Sequence, residues 1–333
     1  MKKIGFTMLV VLLLVFASSV NAEPIKLKYA NFEPPKSFGM RAIWNPWIET
    51  LNKAGKGIFV IEPYVGGTLN RNPLKQLKIL KDGVADIAFI LPNYTPGVFS
   101  DDAVVELPFI GDKAIDTSLA AYGMYQEGLF RNYDLIVPLM VSAGQQYAIH
   151  STFPVRVPSD MKGKKIRATG KMQHLIAKAL GAAPIGMPVT KIAESMSRGL
   201  IQATTNEWNA VRTFKIGGIA KYHCMLPLGT VTFLQAMNKA KFDSLPQKAK
   251  DIFINHRDYS VRLWANAMDN SLGTHQQKMI DDPEHKVYFP TPEETKEWKK
   301  VLQTAVDAWL SQDPNRKKLM EIYKKKVAAA KIK

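Results

Sequence analysis

The residues with the clearest chemistry lie between Gly163 and Asn209. Arg167 falls near the end of a short apolar run, Lys165 to Ala168, and Asn206 follows another, Leu200 to Thr205. A planar guanidinium grips a carboxylate with two parallel charge-assisted hydrogen bonds that a lysine cannot copy. If both residues close strands of one parallel sheet they face one crevice, and an anion site is the natural reading.

The sequence offers no comparable set for catalysis. The histidines at 150, 174, 223, 256, 275 and 285 show no ligand spacing such as H-E-x-x-H, and they read as surface or core residues. Ser159-Asp160 and Ser195 lack the glycines of a nucleophile elbow. Cys224 is the single cysteine, which excludes an intramolecular disulfide and any Cys-His metal cluster.

The elements around the anion site follow from spacing. Two helix-sized runs separate the apolar segments Lys165 to Ala168, Pro184 to Met187 and Leu200 to Thr205, and Gly181 and Gly199 stand where C-terminal caps are expected. This predicts a strand-helix-strand-helix-strand unit with parallel strands and right-handed crossovers. The first half repeats the logic: Lys26 to Asn31, Ile58 to Val65 and Ala85 to Leu91 read as strands, with helices over Phe38 to Ala54 and Leu74 to Lys81.

Two such α/β units facing each other make a ligand clamp with loops at its mouth. Ile136 to His150 reads as a strand crossing into the second unit and Val231 to Met237 as one returning, which makes these segments hinges. Between Pro246 and Pro283 an apolar pattern predicts one long helix. About 36 helical residues would span roughly 54 Å, along both lobes, with Gly273 as a point of kinking.

Residues 1–22 read as a secretory signal peptide: Lys2 and Lys3, an apolar run from Ile4 to Phe16, and small residues up to Ala22. That run is too short for a membrane span, and no cysteine follows the cleavage site to carry a lipid anchor. The expectation is a mature chain outside the cytoplasm, in the periplasm, without stable membrane insertion. The formal charge of +16 attracts anions, although lysines spread over solvated helix faces account for it as well. No arginine-aromatic motif supports binding of nucleic acid.

Several motifs together resemble the solute-binding proteins of tripartite ATP-independent periplasmic (TRAP) transporters, in the dicarboxylate-binding-protein-like branch. They are D-M-K-G-K-K-I-R (Asp160 to Arg167), G-A-A-P-I-G-M-P (Gly181 to Pro188), G-V-A-D-I-A-F (Gly83 to Phe89), Y-T-P-G-V-F (Tyr94 to Phe99), V-E-L-P-F (Val105 to Phe109) and Asn238 to Pro246. The resemblance implies an α/β, two-lobed periplasmic binding protein fold, type II-like, with hinge strands and a long helix spanning both lobes. The lobes are expected at 23–143 plus 231–270 and at 144–230 plus 271–333.

It also implies a monomer that binds an organic acid, hydrolyses nothing, and delivers its ligand to membrane permease subunits driven by an ion gradient; no cofactor is implied, and whether a metal or a water bridges the carboxylate, as a metal does in some relatives, stays open. The same fold would equally serve a ligand-loaded partner of a membrane sensor. In that family the arginine matching Arg167 clamps the ligand carboxylate and the asparagine matching Asn206 supports it. Trp208 packs either on the ligand or on the hinge.

The chain departs from the pattern of sialic-acid-binding relatives, whose second arginine aligns with Gln146 and whose acidic residue aligns near Leu91. A hydroxyl-rich sugar acid would lose a cation and an acceptor. Phe32, Asn93 and Tyr94 are the candidate first-lobe contacts, with core packing or turn formation as their alternative roles. Together with Gln145, Gln146 and Leu91 they suit a small, fairly apolar monocarboxylate, aromatic or branched.

Overall fold

A computed structural model describes residues 23–332; the expected signal peptide, 1–22, lies outside them. The strands are β1 (Ile25–Ala30), β2 (Phe59–Tyr64), β3 (Ile87–Ile90), β4 (Val137–Ala143), β5 (Ala148–Ser151), β6 (Lys165–Arg167), β7 (Ala183–Ile185), β8 (Ala203–Asn206), β9 (Tyr222–Cys224), β10 (Thr232–Met237) and β11 (Lys286–Tyr288). They form two sheets, ordered β2-β1-β3-β10-β4 and β11-β9-β5-β8-β6-β7.

In the first sheet β1 runs parallel to β2 and β3, and β10 enters antiparallel between β3 and β4. In the second, β6 runs parallel to β7 and β8, as the spacing predicts, and β5 pairs antiparallel with β8 and β9. The third strand of the central unit is shorter than expected. Leu200 is exposed and the ladder begins only at Ala203.

The helices are α1 (Asn45–Ala54), α2 (Gln76–Lys81), α3 (Ala114–Gln126), α4 (Gly170–Ala179), α5 (Ile192–Ser197), α6 (Trp208–Thr213), α7 (Lys239–Ser244), α8 (Gln247–Asn255), α9 (Arg257–Asp281), α10 (Pro292–Leu310) and α11 (Asn315–Ala330). The helix expected from Phe38 begins as a wide π turn, Met40–Trp44, before α1. Pro46, in the first turn of α1, has no N–H to bond the Ala42 carbonyl, so regular α-geometry starts there.

The single helix expected between Pro246 and Pro283 is broken, but at His256 rather than Gly273. At the break the His256 imidazole reaches back to Ile252 O at 2.7 Å, sharing that carbonyl with its own main-chain N–H at 3.1 Å. Beyond the break, α9 packs against β4 and α3 beside one sheet and against α6 and β11 beside the other. Asp269 on α9 accepts from Ala114 N (2.7 Å) and Ile115 N (3.0 Å), capping α3 from outside its own sequence.

Two segments cross between the sheets, after β4 and before β10. They are tied to each other by Tyr147 N to Gly229 O (2.8 Å), Leu228 N to Tyr147 O (3.2 Å) and Gly144 N to Thr230 Oγ1 (3.0 Å). The C-terminal helices divide: α10 packs on α4, whereas α11, expected with the second lobe, packs on α3 beside the first sheet. Its buried face of Leu319, Tyr323 and Val327 and the Arg131–Asp313 ion pair (2.9 Å) hold it there. No described helix is long and apolar enough to cross a membrane.

Candidate functional site

Between the two sheets lies a cavity walled by Phe32, Phe89, Phe214, Phe233 and Trp264, with Arg167, Asn93, Tyr94 and Asn206 among its polar lining. It measures about 600 Å³ out to its mouth. The aromatic wall is continuous. Phe32 stacks on Phe89 at 5.3 Å and on Phe214 at 6.5 Å, and Phe233 lies against Phe89 at 5.9 Å and Trp264 at 4.6 Å.

Arg167 closes β6 and is 3% exposed. Its Nε donates to Met187 O (3.2 Å) and its Nη2 to the Tyr94 hydroxyl (3.3 Å). It takes part in none of the ion pairs found among the described residues. A desolvated guanidinium held only by neutral oxygens is a strong attractor for an anion.

Tyr94 stands in the turn Pro92–Tyr94 after β3, and its hydroxyl also accepts from Val189 N (3.0 Å). Both lone pairs are thereby used and the O–H proton remains to donate. Burial pushes this phenol further up, with the Arg167 charge opposing, so it stays protonated. Asn93 beside it donates to Thr169 Oγ1 (3.1 Å), and its Oδ1 is buried without a partner. Both side chains reach from the first sheet to the second.

Asn206 closes β8. Its Oδ1 accepts from the Thr204 hydroxyl (2.7 Å) and its main-chain oxygen from His150 Nε2 (3.0 Å), which fixes the side chain with its amide N–H groups left for another acceptor. Phe32, Asn93, Tyr94, Arg167 and Asn206 thus line one cavity.

Gln146 and Trp208 do not line it. Gln146 is half-buried against Gly111, while its neighbour Tyr147 faces the cavity, as alternation along an extended segment requires. Trp208 starts α6 and packs edge-on against His150 at 4.9 Å and against His223 at 4.9 Å, behind the strand that carries Asn206.

Two acidic residues stand in the wall: Glu33, just after β1, and Glu207, next to Asn206 after β8. Burial pushes Glu33 up to about 7, and burial together with the charge of Glu33 pushes Glu207 up to about 8, with Arg167 opposing. The aromatics Phe214, Phe233 and Trp264 also line the cavity and come from stretches that carry no site signal of their own, whereas Asn209 ends the central Gly163–Asn209 stretch. For Glu207 and Asn209 the available cue is their adjacency to Asn206. Among the described residues no group of His, Cys, Asp and Glu is placed to hold a metal ion.

The sequence profile described as bacterial extracellular solute-binding protein, family 7, matches residues 29–313. The C4-dicarboxylate-binding periplasmic protein DctP of Rhodobacter capsulatus is 23% identical over 297 residues, 86% of each chain. The 2,3-diketo-L-gulonate-binding periplasmic protein YiaO of Escherichia coli K12 is 23% identical over 268 residues, 79% of each. Among solved structures, a TRAP solute-binding protein from Rhodoferax ferrireducens T118, in complex with copurified benzoate, superposes with a TM-score of 0.86 at 25% identity, covering 92% of this chain and 98% of that one.

Proposed function

The chain belongs to family 7 of the bacterial extracellular solute-binding proteins, and from that premise we propose that it captures a small aromatic or branched monocarboxylate through Arg167 and hands it to a TRAP membrane permease. The observation that carries this reading is Arg167 itself, buried at the end of an aromatic-walled cavity without an acidic partner. A carboxylate there gains two charge-assisted bonds from the guanidinium, a third from the Tyr94 hydroxyl and a fourth from the Asn206 amide.

The walls select the rest of the ligand. Phenylalanine faces repay burial of a ring or a branched chain, and most of the several hydroxyls of a sugar acid would be desolvated against them. The benzoate in the Rhodoferax protein supports an aromatic acid. Closure of the two lobes on the ligand then forms the surface that a permease distinguishes from the open form.

A thermal-shift screen of the mature protein, refolded to strip carried-over ligand, tests the reading. An acid at about 1,000 times its Kd adds roughly 4 kcal/mol to stability. Benzoate-like acids should raise Tm strongly and sugar acids should not. Failure of every carboxylate to raise Tm would overturn the proposal.

A further inference from the structure

We infer that the ligand carries a hydroxyl on its ring in addition to its carboxylate, and that Asn209, with Glu207 and Glu33 beside the same cavity, reads that hydroxyl. This rests on the reading that the cavity takes an aromatic carboxylate.

Asn209 is 6% exposed and lines the cavity. Its amide nitrogen is committed to α9, donating to Ser271 Oγ at 2.9 Å and to Met268 Sδ at 3.2 Å. That fixes the side chain and leaves Oδ1 buried with no partner. A buried acceptor without a donor is costly, and in a binding cavity the missing donor is naturally the ligand's.

The glutamates extend this acceptor surface. Glu207 accepts from Ala210 N with Oε1 (3.1 Å), and Glu33 accepts from the Ser37 hydroxyl with Oε2 (2.7 Å). Glu33 follows β1 and Glu207 follows β8, so the two sheets each contribute one.

Arg167 is the one cation in the described lining, and a bound carboxylate uses its charge. A second carboxylate on the ligand would be desolvated with no second cation to pair it. Burial favours the protonated form of both glutamates, with the charge of Glu33 adding to it at Glu207, and this suits a neutral donor such as a phenolic or alcoholic O–H.

Calorimetry on the refolded wild-type protein decides the matter with benzoate, 3- and 4-hydroxybenzoate, the two methoxybenzoates and isophthalate as probes. One hydroxybenzoate should bind about tenfold or more tightly than benzoate, its methoxy counterpart should lose that gain, and isophthalate should bind worst. Asn209→Leu should bring the hydroxybenzoate-to-benzoate ratio towards one.

Equal affinity for benzoate and both hydroxybenzoates, with binding lost in Arg167→Met, would overturn this inference and leave the carboxylate clamp standing. No binding of any aromatic acid, or binding undiminished in Arg167→Met, would overturn the clamp and this inference with it.

Discussion

Tyr94 joins the two halves of the crevice through one hydroxyl, accepting from Arg167 and from Val189 N while resting on the first sheet. Tyr94→Phe leaves both donors without their acceptor and removes a donor to the ligand. Calorimetry with benzoate should show a loss of about 1–3 kcal/mol in binding free energy. The glutamates give a second test. With folded values of about 7 for Glu33 and about 8 for Glu207, both raised above the ordinary carboxylate range, they are protonated at pH 6 and negative at pH 9. Affinity for a carboxylate should therefore fall as pH rises through 7–8, and Kd measured from pH 6 to pH 9 checks this. The same sign applies to stability, since a raised folded value favours folding at low pH and the contribution is lost as pH rises through it. At this scale the strand-end residues Arg167 and Asn206 were legible because strand ends in parallel sheets share a side. Glu33 stands just after a strand in the same way, but the burial that raises it is a matter of packing that no local pattern encodes.

Three neighbouring edges of the second sheet carry a buried histidine chain. His150 on β5 faces His223 on β9 in register, with Nδ1 to Nδ1 at 2.8 Å, and His223 Nε2 lies 2.8 Å from His285 Nδ1 just before β11. One tautomer set satisfies the chain. His150 donates from Nε2 to Asn206 O and accepts at Nδ1 from His223, which accepts at Nε2 from His285, whose Nε2 accepts from Lys221 Nζ at 3.3 Å. A proton added to any ring places two donors face to face. Burial accordingly lowers all three, His150 to about 4. Their unfolded forms protonate below about 6.5. Stability is full above that value and should fall as pH drops towards 4, visible as a falling urea midpoint between pH 7 and pH 4. Each histidine alone reads as surface or core. The chain arises because β5, β9 and β11 are adjacent in space while separated in sequence. The β-α-β-α-β unit was legible from its glycine caps and short apolar runs. The α10–α11 pair was not read at all, although the Thr291–Glu294 capping box after Pro290 marks its start.

At the scale of the whole molecule, α9 is the rod against which both halves are held. Trp264 Nε1 donates to Ala143 O at the end of β4 (2.8 Å), Gln145 Nε2 to Met268 O, and Asn209 ties α6 to Ser271. The lobes close on each other where Gly170, at φ +70°, meets Asn93. A Cβ at Gly170 would lie 3.1 Å from Asn93 Cβ, in a conformation that side chains resist. Gly170→Ala should therefore cost about 1 kcal/mol of stability and weaken ligand binding further by wedging the closed crevice, read by chemical denaturation and calorimetry together. The apolar pattern after Pro246 announced the rod, while its break at His256 is not encoded in the periodicity. The most direct measurement is benzoate binding to wild type and to Arg167→Met, side by side at pH 6.5. Loss of the buried guanidinium should weaken binding by about 2–5 kcal/mol while the folded signal persists. Binding by Arg167→Met within about threefold of wild type, well under 1.4 kcal/mol, would contradict a carboxylate clamp at Arg167.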